Sequence, residues 1–162
     1  MLAGLAMSSF HAQAQSNSDQ YLAGPLGNPQ DVARARKNCD DGSAKQFEIN
    51  ICALEQFRKA DLAYQAAAKA VRQDLAADSD MQSALDNANI AFKRFRDATC
   101  NFDRASIGQG TMAPTVEFTC LATYTERRAK ALSEYTACRK TGNCDLPNLL
   151  YSYENAALGA EK

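Results

Sequence analysis

Six cysteines, Cys39, Cys52, Cys100, Cys120, Cys138 and Cys144, constrain what this chain can fold into more than any other feature. A disulfide holds two Cα atoms within about 7 Å of each other, so bridges among them dictate which segments lie side by side. Whether they are bridged depends on compartment, and the first residues bear on that. Residues 1–14 form a short apolar stretch that closes on Ala12-Gln13-Ala14, the small–spacer–small pattern accepted by signal peptidase. No Lys or Arg precedes Leu2, so this export signal is read as truncated. The stretch is too short and too polar to span a bilayer, and Gln15, not a cysteine, follows the small residues, leaving no point for a lipid anchor. An exported chain meets oxidising surroundings, where an even cysteine count reads as disulfides. The expected location is periplasmic or secreted, with no insertion into the membrane.

The only histidine, His11, lies inside that signal. The processed chain then lacks the side chain most used for acid–base work near neutral pH and the commonest metal ligand. No cysteine pair has the C-x-x-C redox spacing, and no thiolate cluster suits zinc. The chain of 162 residues suits one domain, and an apolar fraction of 46% is enough for a core. A net charge of −1 makes no electrostatic case for nucleic acid and steers only weakly toward basic proteins. The balance favours a rigid protein-binding module with no cofactor and no metal over an enzyme.

The remaining chain reads as helices. Residues 15–28 form a leader with Gly24-Pro25 and Gly27. Asn28 caps a short helix, with Pro29 at its first position and Asp31 in its first turn, stopping near Cys39-Asp40-Asp41-Gly42. Ser43 and Gln46 form a capping box for a long helix reaching about Ala77, which no Gly or Pro interrupts. Phe47, Ile51, Leu54, Phe57, Tyr64, Val71 and Leu75 share its apolar face. Asp78-Ser79-Asp80 breaks it, and Ser79 with Gln82 forms a second capping box. In the next helix Met81, Leu85, Ala88, Phe92, Phe95, Thr99 and Phe102 alternate steps of four and three, a heptad-like seam that ends near Ser106. Pro114 opens a further helix that runs to about Lys140 and stops at Gly142, with Leu121, Tyr124, Arg128, Leu132 and Tyr135 on one face. Pro147 begins a last short helical segment, Asn148 to Leu158. No run alternates with a period of two, so no sheet is expected.

The fold class is therefore all-α: an antiparallel bundle of three long helices with short N- and C-terminal helices, stapled by disulfides. The domain spans 29–140 and a C-terminal extension spans 141–162. This topology puts Cys52, Cys100 and Cys120 near one level. Cys100 and Cys120 flank the long glycine-bearing loop and are expected to pair. Cys39 with Cys52 then ties the first connector to the long helix, and Cys138 with Cys144 closes the turn at Gly142. Six cysteines admit fifteen pairings, and exchange among the first four stays open.

Three blocks carry a family resemblance. The first is Gln46-Phe47-Glu48-Ile49-Asn50-Ile51-Cys52-Ala53 followed by Ala60-Asp61-Leu62-Ala63-Tyr64. The second runs Ala88-Asn89-Ile90-Ala91-Phe92-Lys93-Arg94-Phe95-Arg96-Asp97-Ala98-Thr99-Cys100, and the third comprises Gly108-Gln109-Gly110-Thr111, Cys120, Thr125, Arg127-Arg128 and Leu132. In order and spacing they resemble the LprI-like lysozyme-inhibitor family of small exported bacterial proteins, from about Cys39 to Leu132. The family usually has Trp at Phe92, Gln at Asn89, Asn at Ala63, and a Gly-Gly-Ser loop at Gly110-Thr111. The first three are helix positions that concern packing, whereas the loop is where an inhibitor would touch its target.

The charged motif residues Glu48, Asp61, Arg96 and Arg128 are read first as a cross-helix network that fixes register, since a guanidinium grips a carboxylate at two points; Asn50 and Asp97 accompany them. Glu48 and Asp61 do not make a glycosidase pair: thirteen residues on one helix separate them by roughly 20 Å. Gly108-Gln109-Gly110 lacks the third glycine and preceding strand of a phosphate loop. Tyr64, Tyr124 and Tyr135 are expected to pack in the core with bonded hydroxyls.

The resemblance implies inhibition of a lysozyme-like muramidase. The loop from Asn101 to Ala113 is the candidate contact, with Arg104, Ser106, Gln109, Gly110 and Thr111 facing an acidic cleft and Cys100–Cys120 ordering it beforehand. The alternative is an immunity or adaptor protein for another secreted hydrolase, effector or envelope partner, with Tyr151 and Tyr153 as specificity residues.

Overall fold

A computed structural model describes residues 28–142. The signal, all of the leader before Asn28, the terminal helix expected after Pro147, Tyr151, Tyr153 and Cys144 lie outside the described residues. Within them there are four helices and no strand: α1 Pro29–Asp41, α2 Gln46–Asp74, α3 Ser79–Ser106 and α4 Ala113–Thr141. None of these helices is long and apolar enough to cross a membrane.

The helix ends follow from local chemistry, with two corrections. Asn28 accepts the N–H of Gln30 at 2.9 Å and Pro29 opens α1, as expected. Gly42 ends it with φ 75°, a conformation that costs glycine little. Ser43 does not cap α2. Its N–H and hydroxyl both donate to the Asp41 carboxylate, at 3.0 and 2.5 Å, so it is held back in the connector. Lys45 takes the cap position, and Glu48, three residues on, accepts the Lys45 N–H at 2.9 Å. Nor does Ser79 cap α3. Asp78 does, accepting the Met81 N–H at 2.9 Å; an Asp anion also gains from the positive helix end, which a serine hydroxyl does not. Pro114 lies in the first turn of α4, and Gly142 closes that helix with φ 70°.

Packing divides into three clusters. Ala53, Phe57 and Ala60 of α2 meet Phe118, Leu121 and Ala122 of α4 around Cys100 of α3. Farther along, Tyr64, Ala67, Val71 and Leu75 meet Ala129 and Leu132, with Leu85, Phe92 and Tyr135 packed against them. Val32 and Ala35 of α1 close over Ile51. On α2 the buried Ala53, Ala60 and Ala67 recur every seven residues, and on α4 Ala122 and Ala129 do the same. Small side chains at that spacing let two helices approach closely along their length.

Two expected apolar faces are only partly buried. Phe47, in the first turn of α2, is 64% exposed, while Ile51, Phe57, Tyr64, Val71 and Leu75 are buried. The seam on α3 is covered unevenly along its whole length: Met81, Phe95 and Phe102 are 43%, 58% and 73% exposed, Ala88 is exposed, and Leu85, Phe92 and Thr99 are half-buried. The buried α3 side chains are Arg96 and Cys100, so the line that faces inward runs through Leu85, Phe92, Arg96 and Cys100 and not along the heptad positions.

Cross-links fix α3 on α4. Arg104 pairs with Glu117, Cys100 with Cys120, Arg96 with Thr125, and Asn89 with Arg128. Numbers rise along one helix as they fall along the other. Both disulfides expected among these residues are present: Cys39–Cys52, with Cα atoms 6.9 Å apart, and Cys100–Cys120, with Cα atoms 5.5 Å apart.

Candidate functional site

The glycine-bearing connection is shorter than the span Asn101 to Ala113. Helix α3 continues through Ser106, leaving a turn of residues 107–112, all exposed. Gly108 has φ 72°, and its N–H is bonded to the Ala105 carbonyl at 3.1 Å. Two of the five residues expected on the loop are therefore in the last turn of α3. Arg104 donates from Nη1 to Oε2 of Glu117 at 2.6 Å, and Glu117 is buried. The Ser106 hydroxyl donates to the Asp103 carbonyl at 2.6 Å. Gln109, Gly110 and Thr111 sit on the turn itself. A hollow of ≈ 470 Å³ opens between it and Arg104, Ala105 and Pro114.

The start of α2 fastens this turn. Asn50 Nδ2 donates to the Thr111 carbonyl at 3.1 Å. Gln46 Nε2 donates to Asn50 Oδ1 and to Thr115 Oγ1, each at 3.0 Å, and the Thr115 hydroxyl donates to Asn50 Oδ1. The turn is thus held by Cys100–Cys120 and Arg104–Glu117 on one side and by this amide–hydroxyl cluster on the other. Sequence reasoning missed Gln46, Thr115 and Glu117. Gln46 and Asn50, one turn apart on the first turns of α2, were the available signal; the partner Thr115 lies 65 residues from Asn50 and had none.

Of the four charged motif residues, Glu48 sits against α1, whereas Asp61, Arg96 and Arg128 gather around Tyr64 and Phe92. Glu48 accepts from Asn38 Nδ2 at 2.9 Å and from Arg34 Nε at 3.1 Å, both on α1, besides the Lys45 N–H. The Asn38 bond foremost, then the Lys45 N–H, outweigh burial and with Arg34 hold its carboxyl down at about 2. Asp61, also buried, accepts from Gln65 on its own helix. Arg96 is completely buried. It donates from Nε to Asp97 and from Nη1 to Thr125 Oγ1, at 2.8 and 3.1 Å, with its guanidinium 5.3 and 5.6 Å from the Phe57 and Phe92 ring centres. The Arg128 guanidinium lies 5.8 Å from the Phe92 ring centre, and its Nη2 donates to Asn89 Oδ1 at 3.0 Å. Burial lowers the Arg128 pKa, and burial raises that of Tyr64, which Arg128 and Arg96 partly oppose. Tyr124 meets Phe95 edge-on, and the Tyr135 hydroxyl accepts from Arg139 Nη1 at 3.3 Å. Among the described residues no group of His, Cys, Asp or Glu is placed to hold a metal ion.

Glu48 gives a pH prediction. Its carboxyl is depressed in the folded chain, so the stability it contributes is present above its unfolded value near 4.3 and lost as pH falls toward about 2. Denaturation of the wild type and Glu48→Gln as a function of pH should show the wild-type advantage intact at pH 6 and shrinking through that window. A difference that does not change with pH there would contradict the assignment.

No curated protein and no protein of solved structure matches the chain. A family model does, over residues 39–132, from the first bridged cysteine to the leucine that closes the α2–α4 core. That match covers more than half of the chain and contains both disulfides, Arg96, Arg128 and the whole turn, and the chain accordingly belongs to the lysozyme inhibitor LprI family.

Proposed function

We propose that this chain is an exported inhibitor of a lysozyme-like muramidase and acts by seating its 107–112 turn in or across the catalytic cleft. LprI is an inhibitor family and not a catalytic one, and its members' description supplies the partner, a lysozyme. The carrying observation is the anchoring of an exposed turn from both sides, by a disulfide, an ion pair and the Asn50 bond. An ordered turn loses little conformational freedom on binding. Gln109 and Thr111 offer donors to the two carboxylates that such glycosidases use. Cysteines in disulfide form agree with an oxidising location such as the periplasm or the exterior. In this reading α2, α3 and α4 are an antiparallel bundle that serves as a stiff mount.

The test is inhibition of a c-type lysozyme by the wild type, by a chain lacking Gly110 and Thr111, and by Gln109→Glu. The new charge opposes the acidic cleft and lies on an exposed residue, so it should weaken inhibition by about tenfold or more with unchanged melting. Equal potency of all three would remove the turn from the mechanism. Failure of the wild type to inhibit any lysozyme would favour the immunity or adaptor role.

A further inference from the structure

At the other end of α3 an apolar groove of ≈ 340 Å³ runs between α2, α3 and α4, walled by Val71, Leu75, Leu85, Ala88, Leu132 and Tyr135. Arg128 also lines it. The Arg128 Nε–H is buried and has no hydrogen-bond partner, while Nη2 is engaged by Asn89. Burial penalises its charge, and the acceptor it bonds is the neutral amide of Asn89, not a carboxylate. A half-buried cation bonded to no carboxylate, beside an apolar trough, is complementary to an anion that carries a hydrocarbon tail.

We propose that this groove binds a single-chain anionic amphiphile, its carboxylate at the Arg128 guanidinium where that lines the groove and its acyl chain along Leu85, Ala88 and Leu132. The volume sits at the small end of the range for ligand sites, which fits one short chain and not a two-chain lipid. The site lies roughly 33 Å from the turn, counting the twenty-two residues of α3 and its end between Leu85 and Ile107. It is therefore independent of the inhibitory reading.

The probe is sodium dodecanoate below its micelle concentration, titrated calorimetrically into the full chain. The expected result is saturable one-to-one binding. Arg128→Met should weaken it by about tenfold or more, the worth of a charge-assisted hydrogen bond, and leave binding of neutral dodecanol unchanged. Arg128 is partly buried, so a second variant guards against misfolding: Ala88→Phe, at an exposed wall position, should block dodecanoate while melting stays as in the wild type. No saturable binding by the wild type, which is the outcome if another segment of this chain or a second copy fills the groove, overturns the proposal. So does equal binding of a dodecyl trimethylammonium cation, or full binding by Ala88→Phe.

Discussion

Replacing Arg96 by alanine is expected to cost about 3–5 kcal/mol of unfolding free energy, the range for breaking a buried charge pair from one side. The side chain is wholly buried. Its loss takes a guanidinium from Asp97 and removes the cation from between Phe57 and Phe92. It also takes a donor from Thr125 and leaves a void that α2 and α4 cannot close without moving. Arg96→Lys should recover only part of the loss, because an ammonium cannot bring two N–H groups of one planar fork to Asp97 Oδ1, reach Thr125 at the same time and lie flat against a ring. Guanidinium denaturation with an unchanged slope checks both variants. A loss below about 1 kcal/mol for the alanine variant would mean that the site relaxes or that water replaces the guanidinium.

Removing the Cys100–Cys120 bridge by Cys100→Ala with Cys120→Ala should cost about 3 kcal/mol, from the unfolded-chain entropy released by opening a loop with a sequence separation of 20. For a domain of this size that corresponds to a fall of roughly 10–20 °C in melting temperature. Inhibition should weaken as well, measured well below the melting point, since the bridge is one of the anchors of the turn. Unchanged potency together with the lower melting temperature would separate stability from the proposed mechanism. The Cys39–Cys52 bridge, at a separation of 13, gives a built-in comparison: its removal should lower stability and leave the turn anchored.

Much of this architecture was legible in the residues. Asn28-Pro29, Pro114 and the two glycines Gly42 and Gly142 mark helix ends by chemistry that acts within a few residues, and they stand where expected. Placing Cys52, Cys100 and Cys120 near one level favours the two observed bridges but leaves exchange among the four cysteines open, and the fold decides it. The errors arose where two local partners competed or where a period was extrapolated. Ser43 satisfied the pattern of a cap, but Asp41 offered its hydroxyl a carboxylate two residues away. Phe95 and Phe102 satisfied a heptad, but the line that α3 turns inward runs through Phe92, Arg96 and Cys100 and leaves them exposed. The turn was legible through Gly108 and Gly110, whereas its fastening to Asn50 and Thr115 depends on contacts more than sixty residues distant, which no local pattern encodes. The sequence places Arg128 in a charge network; that its bonded partner is the neutral Asn89 is visible only in the fold.

The scarcity of buried side chains on α3 has a dynamic consequence. Its two fully covered residues, Arg96 and Cys100, both lie in its second half, and the bridge and the Arg104 pair sit beyond them. The stretch from Ser79 to about Ala91 buries no side chain fully and is held by partial cover and side-chain bonds: Arg72 to Asp86, Gln82 to the Arg72 and Leu75 carbonyls, and Arg128 to Asn89. Amide exchange along α3 should therefore be graded, fastest near its start and slowest around Cys100. The expected picture is a beam gripped more firmly beside the turn, with the larger thermal breathing at its lightly held start.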